Sequence, residues 1–173
     1  VDPDDLITCC GTYCGLCARW KDFSALRDAA ALLAEVADAH GFQHWLPGVP
    51  TGFDYGEFRK GLDFFANRDS WFVCRTPCRQ NTGGPPFCVR DCCTQHHVDV
   101  CWDCAEFPCA KLREGDQEQL RRLVDGAAEY RALGRDEWVR RRAEAAERGY
   151  EHHTGKCYVA MIHEGGGPDG CAS

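Results

Sequence analysis

Cysteine is the residue through which this chain can do chemistry, and its spacing narrows which chemistry. Of fourteen cysteines, eight lie in one stretch: Cys74, Cys78, Cys88, Cys92, Cys93, Cys101, Cys104 and Cys109. Four more, Cys9, Cys10, Cys14 and Cys17, sit near the N-terminus. The gaps are short: C-x-x-x-C at 74–78, C-V-R-D-C-C at 88–93 and C-W-D-C-A-E-F-P-C at 101–109. Thiolates two or three residues apart on a turn can face one metal ion or one small cluster. Disulfides stabilise most when they close long loops, and the neighbours Cys9–Cys10 and Cys92–Cys93 would close only strained rings. Metal or cluster ligation is expected, with a reducing cytoplasm as the home.

Within the N-terminal group, Cys10, Cys14 and Cys17 form C-x-x-x-C-x-x-C. Radical S-adenosylmethionine enzymes use this spacing for a cluster with one open iron, but they need a large α/β barrel that this chain lacks the length and strands to build. Three structural ligands completed by a cysteine from the second group is the preferred reading. If no fourth cysteine joined them, one iron would be open to a small ligand, with Tyr13 and Trp20 lining that position. Gly11 and Gly15 follow Cys10 and Cys14 directly, where glycine lets the backbone turn tightly and aim amide N–H groups at sulfur.

The elements that must position these thiols are mostly helical. Helical spacing of Leu26, Ala30, Leu33, Ala37 and His40 predicts a helix over 22–40, capped by Asp22 or Ser24 and ended by Gly41. Residues 41–53 read as loop. D-Y-G-E predicts a second helix from Asp54, with Glu57 at the third position and Phe58, Leu62 and Phe65 on its apolar face. The stretch 71–109 reads as turns and short extended pieces, with 82–87 (T-G-G-P-P-F) a flexible connection. His96 and His97 follow Cys93 closely, but a solvated turn is the preferred reading for them. Asp116 with Gln119 predicts a helix to Gly134, and Asp136 starts another that ends at Gly149. The end of the chain reads as a turn, a short strand containing Cys157, and a flexible tail over 165–173 with Cys171 unligated.

The expected architecture is a single domain, mostly α, with an irregular cysteine-rich metal-binding module and room for a small α+β arrangement. Its segments are 1–20 (N-terminal cysteine motif), 22–68 (helical pair), 71–112 (cysteine-rich module), 116–149 (helical segment) and 150–173 (tail). A hydrophobic fraction of 44% over 173 residues allows a modest core. A net charge of −7 argues against non-specific binding to nucleic acid or anionic membranes. No run approaches the length of a membrane span, and no signal segment is recognised from Val1 onward. Arg140, Arg141 and Arg142 look basic alone, but residues 113–148 hold nine arginines and nine acidic residues, which predicts an ion-paired, solvated face.

The segments C-G-T-Y-C-G-L-C, C-V-R-D-C and C-W-D-C-A-E-F-P-C resemble a prokaryotic cysteine-rich family marked by its Phe-Pro-Cys signature, domain of unknown function 3795. The similarity extends to A-L-G-R-D-E-W-V at 132–139. It implies a small soluble protein and transfers no established activity. The family's central pair resembles C-x-x-C, one residue tighter than Cys74 and Cys78, and Cys9 and Cys93 stand beside its usual positions as extras. The expected ligands are therefore Cys10, Cys14, Cys17, Cys74, Cys78, Cys88, Cys92, Cys101, Cys104 and Cys109.

Zinc would use paired C-x-x-C knuckles, such as Cys14–Cys17 with Cys101–Cys104, and a second site on Cys74, Cys78, Cys88 and Cys92. Iron–sulfur clusters take a compact run plus a remote ligand, often near proline, as Pro77 lies beside Cys78 and Pro108 beside Cys109. With apolar and aromatic residues between the cysteines, one or two 4Fe-4S clusters are favoured over zinc. The functions this suggests are electron transfer to a protein redox partner, or chemistry on a small-molecule ligand at an open iron. The alternative is a zinc-stabilised protein-interaction module. A thiol oxidoreductase using Cys101 and Cys104 is weaker, because no thioredoxin-like βαβ pattern surrounds them.

Overall fold

The computed structural model describes residues 1–80 and 90–158. It is mostly helical with a single small sheet among the described residues. The helices are α1 (Ala25–Ala39), α2 (Phe42–Trp45), α3 (Tyr55–Ala66), α4 (Arg90–Gln95), α5 (Ala110–Arg113), α6 (Gln117–Leu133) and α7 (Arg135–Glu147). Strands β1 (Tyr150–Glu151) and β2 (Lys156–Cys157) pair antiparallel, with Tyr150 opposite Cys157. The connections 82–87 and 165–173 and the residues Cys88 and Cys171 lie outside the described residues.

Helices α1 and α3 pack against each other as a pair. The buried face of α1 is Ala25, Ala30, Ala34 and Ala37, with Arg27, rather than the stripe through Leu33 and His40. Alanines at i, i+4 and i+7 let a partner helix approach closely, and the larger Leu32, Leu33 and Val36 are left outside, each at least 44% exposed. Asp54 caps α3 as expected, its Oδ1 accepting from Glu57 N at 2.9 Å. Leu62 is buried, while Phe58 and Phe65 keep partly exposed rings. Arg59 joins the pair by bridging Asp38 of α1, at 2.7 Å, and Asp63 of its own helix.

The main core is built from the N-terminal loop, the 100–102 segment and helices α6 and α7: Ile7, Tyr13, Leu16, Val100, Trp102, Ala127, Trp138 and Val139. Trp138 sits edge-on to Trp102 (centroids 5.7 Å apart), to Tyr130 (5.7 Å) and to Tyr13 (6.2 Å). Asp116 caps α6 through Gln119 N at 2.7 Å. Gly134, with φ of 77°, makes the junction to α7. The arginine run of α7 is ion-paired: Arg140 to Glu137 and Glu144, Arg141 to Glu137, and Arg142 to Glu129 while lying over the Trp138 ring. Helix α7 also packs on the short 3-10 turn Cys14–Leu16, so the C-terminal helices support the first cysteine loop.

Candidate metal centres

The N-terminal loop divides its cysteines between two places. Ile7 bridges Tyr13 across the loop, Thr8 N donates to Thr12 O at 2.9 Å, and Gly11 turns the chain with φ of 88°. Cys10 lies near the tip, its Sγ 3.0 Å from Thr8 Oγ1 and 3.3 Å from Thr12 Oγ1. Cys14 opens the 3-10 turn that follows, whose last backbone bond runs from Cys17 N to Cys14 O. The structure packs Cys10 with Cys93 and Cys101, and Cys14 with Cys17 and Cys74, although Cys10, Cys14 and Cys17 look like one motif in sequence.

The first group is Cys14, Cys17, Cys74 and Cys78. Residue 74 is delivered by a bridge between Trp20 and Cys74, with Cys74 N donating to Arg19 O at 2.8 Å and Lys21 N to Cys74 O at 3.1 Å. Cys78 N then donates to Cys14 Sγ at 3.3 Å. Trp20, Phe23 and Ala25 bury Cys14, with Cys17 and Cys74 packed against them, while Cys78 is exposed. Hydrogen bonding from the Cys78 thiol and amide holds the Cys14 thiol below the usual range, against burial. The same Cys14–Cys78 bond, with burial, pushes Cys78 up. Burial pushes Cys17 up to about 11 and raises Cys74 despite the nearby Arg19 guanidinium. Four thiols packed this way cannot all ionise without a cation among them.

The second group contains Cys10, Cys92, Cys101, Cys104 and Cys109, with Cys9 and Cys93 beside them. Cys93 and Cys101 are buried against Cys9, Cys10, Cys92, Val98, Phe107 and Leu112. Helix α4, which has too few residues to show a period in sequence, carries Cys92 and Cys93. Cys101 starts a 3-10 turn fixed by Cys101 N donating to Cys9 O at 2.7 Å. Cys93 Sγ donates to the same carbonyl at 3.3 Å. Cys109 precedes α5 and accepts from Leu112 N and Arg113 N. Burial first, then the neighbouring thiols, pushes Cys93 and Cys101 each up to about 12. A small cavity of about 30 Å³ lies among Cys92, Cys101, Cys104, Cys109 and Phe107. His96 also borders it, with Nδ1 3.8 Å from Cys104 Sγ, and His97 has φ of 54°.

Cys88 lies outside the described residues. Cys157, on β2, is buried and disulfide-bonded. Among the described residues no three cysteine sulfurs all lie within 4.8 Å of one another.

Several supporting residues carry no motif. Arg27 of α1 is 3% exposed, and its guanidinium donates to the carbonyls of Trp20 (3.1 Å), Lys21 (2.9 Å) and Phe23, locking the loop behind the first group. Arg79 donates to Ile7 O and to Asp99, tying the 74–80 turn to the loop that carries Cys10 and to the approach to Cys101. A buried arginine on a predicted helix reads as a solvated residue until the loop it caps is known. Cys9 and Cys93, extras beside the usual positions in sequence, both pack beside the second group.

Fold and site define a mostly helical protein whose loops gather cysteines into two separate groups. The chain belongs to the family described as Protein of unknown function (DUF3795), whose profile matches residues 6–114. That span contains both groups and stops short of α6 and α7. No curated protein and no solved structure matches the chain.

Proposed function

We propose that this protein binds two separate cysteine-ligated metal centres, each an iron–sulfur cluster, and serves in electron transfer. The observation that carries this reading is the sorting of the thiols into two groups of at least four, with no three sulfurs among the described residues all within 4.8 Å of one another. Zinc bound to four thiolates at about 2.3 Å would hold its sulfurs about 3.8 Å apart. A cluster several atoms across takes thiolates from further apart. The first centre would be held by Cys14, Cys17, Cys74 and Cys78. The second would draw on Cys10, Cys92, Cys101, Cys104 and Cys109.

Bound clusters would supply one-electron chemistry. The chain's own residues do the rest. Trp20 and Phe23 on one side, and Val98, Phe107 and Leu112 on the other, keep water from the buried sulfurs of Cys14 and Cys101. Backbone amides such as Cys78 N donate to sulfur and stabilise its charge, which tunes a potential. With four cysteines in the first group, that centre is closed, and a protein redox partner suits it better than a substrate bound at an open iron. Zinc is the second reading for the Cys92–Cys109 group, where His96 stands beside Cys104 as a mixed nitrogen and sulfur ligand set would have it.

The test is iron and acid-labile sulfide analysis, with the visible spectrum, on protein purified without oxygen. Iron and sulfide in near-equal amounts, with a broad visible absorption bleached by dithionite, are expected. Stoichiometric zinc with no visible absorption would overturn the cluster assignment.

A further inference from the structure

We propose that Glu151, His152 and His153 form a thiolate-free site for a divalent transition metal, with one coordination position open to a neighbouring cavity. Their ligand atoms all lie within 4.8 Å of one another, and they are the one such set of three among the described residues. They also lie outside the 6–114 family match, so the site belongs to this chain's C-terminal part.

The three donors are held as a metal site requires. Glu151 is 5% exposed, and its Oε2 accepts from His153 N at 3.0 Å and Thr154 N at 2.9 Å. Those amides fix the carboxylate and leave Oε1 directed at His153 Nδ1, 2.8 Å away. His152 Nδ1 lies 2.8 Å from Leu16 O. A carbonyl can only accept, so Nδ1 carries the proton and Nε2 keeps its lone pair. This is the arrangement by which metal-binding histidines are usually oriented, the second ring nitrogen donating to a carbonyl. The two imidazoles lie against each other with centroids 3.9 Å apart. The hairpin turn itself needs only Oε2 of Glu151 and gives no reason for paired rings.

Two imidazoles and one carboxylate suit zinc and its first-row neighbours, and three protein ligands leave a position free. Both histidines line a cavity of about 290 Å³ shared with Tyr13, Arg122, Trp138 and Tyr150, so a water or small ligand can reach the metal. Binding through Glu151 Oε1 and His153 Nδ1 displaces the proton now joining them: an imidazolium releases it to solvent, a neutral ring takes one up at Nε2, and either way the ligand is neutral imidazole. The carbonyl that orients His152 belongs to Leu16, between Cys14 and Cys17, so occupancy is linked to the turn carrying the first cysteine group.

The test is a Co²⁺ titration of the untagged full chain with its cysteine centres already filled. Wild type should take up one further equivalent, with weak visible d–d absorption and no sulfur-to-cobalt charge transfer. His153→Ala should lose that equivalent; its side chain is 57% exposed, so the fold survives, as unchanged near-ultraviolet circular dichroism will confirm. His152→Ala should lose it as well. The proposal is overturned if wild type takes no further cobalt, if His153→Ala takes as much as wild type, or if that equivalent carries a sulfur charge-transfer band.

Discussion

Gly11 is the position where loop, core and cysteine placement meet, and replacing it by alanine isolates that dependence. It follows Cys10, adopts φ of 88°, and lies against Trp102 so closely that a Cβ would overlap ring atoms Cε3 and Cζ3. Trp102 is 1% exposed and sits between Cys101 and Cys104, so it has little room to yield. The left-handed conformation alone costs an alanine about 1–2 kcal/mol. Forcing a methyl into a filled core adds about 1–3 kcal/mol. Gly52 supplies the control, since it has φ of 77° and nothing within 4 Å of its would-be Cβ. Gly52→Ala carries only the backbone cost, and the gain from a less free unfolded chain is common to both variants. Gly11→Ala should therefore lose about 1–3 kcal/mol more than Gly52→Ala. At a urea slope of about 2 kcal/mol per molar, that separates their midpoints by roughly 1 M. The assay is urea unfolding of both variants under one metal condition, followed by tryptophan fluorescence. Equal losses for the two would refute the claim that Gly11 is required by its contact with Trp102.

Asp54→Ala and Asp116→Ala should each cost about 1 kcal/mol in urea unfolding, because each side chain accepts a helix N-terminal amide, from Glu57 and Gln119. Asn at either position should restore most of the loss. The Glu137 carboxyl, hydrogen-bonded by Arg140 and then Arg141, should titrate near 2 in a carbon-detected NMR experiment, below its ordinary 4.5. Its folded value is depressed, so its contribution is fully present above about pH 4.5 and is lost as pH falls from there through 2. High salt should move the value back up, since solvent reaches the carboxylate, whose side chain is 34% exposed.

How much the sequence discloses differs sharply between helices and loops. The caps at Asp54 and Asp116, the stop at Gly134 and the ion-paired Arg140–Arg142 run are local features, set by residues three or four apart, and they stand as expected. The buried face of α1 does not follow its largest residues, because what packs there is another helix at close range and alanine wins over leucine. Helix α4 and the burial of Arg27 depend on loops that arrive from elsewhere in the chain. The division of Cys10 from Cys14 and Cys17 is the main case. A C-x-x-x-C-x-x-C spacing is local, but which sulfurs meet is decided by the turn at Gly11 and by Trp20 pairing with Cys74. The same pairing gives Cys14 and Cys17 the partners Cys74 and Cys78, where knuckle spacing suggested Cys101 and Cys104.

An anomalous-scattering map from crystals grown without oxygen tests the two-centre account most directly. Two separate metal peaks are expected, one enclosed by Cys14, Cys17, Cys74 and Cys78 and the other by Cys101, Cys104, Cys109 and Cys92 with Cys10 beside it. A single centre joining Cys10, Cys14 and Cys17, or a map with no metal at either group of thiols, would contradict it.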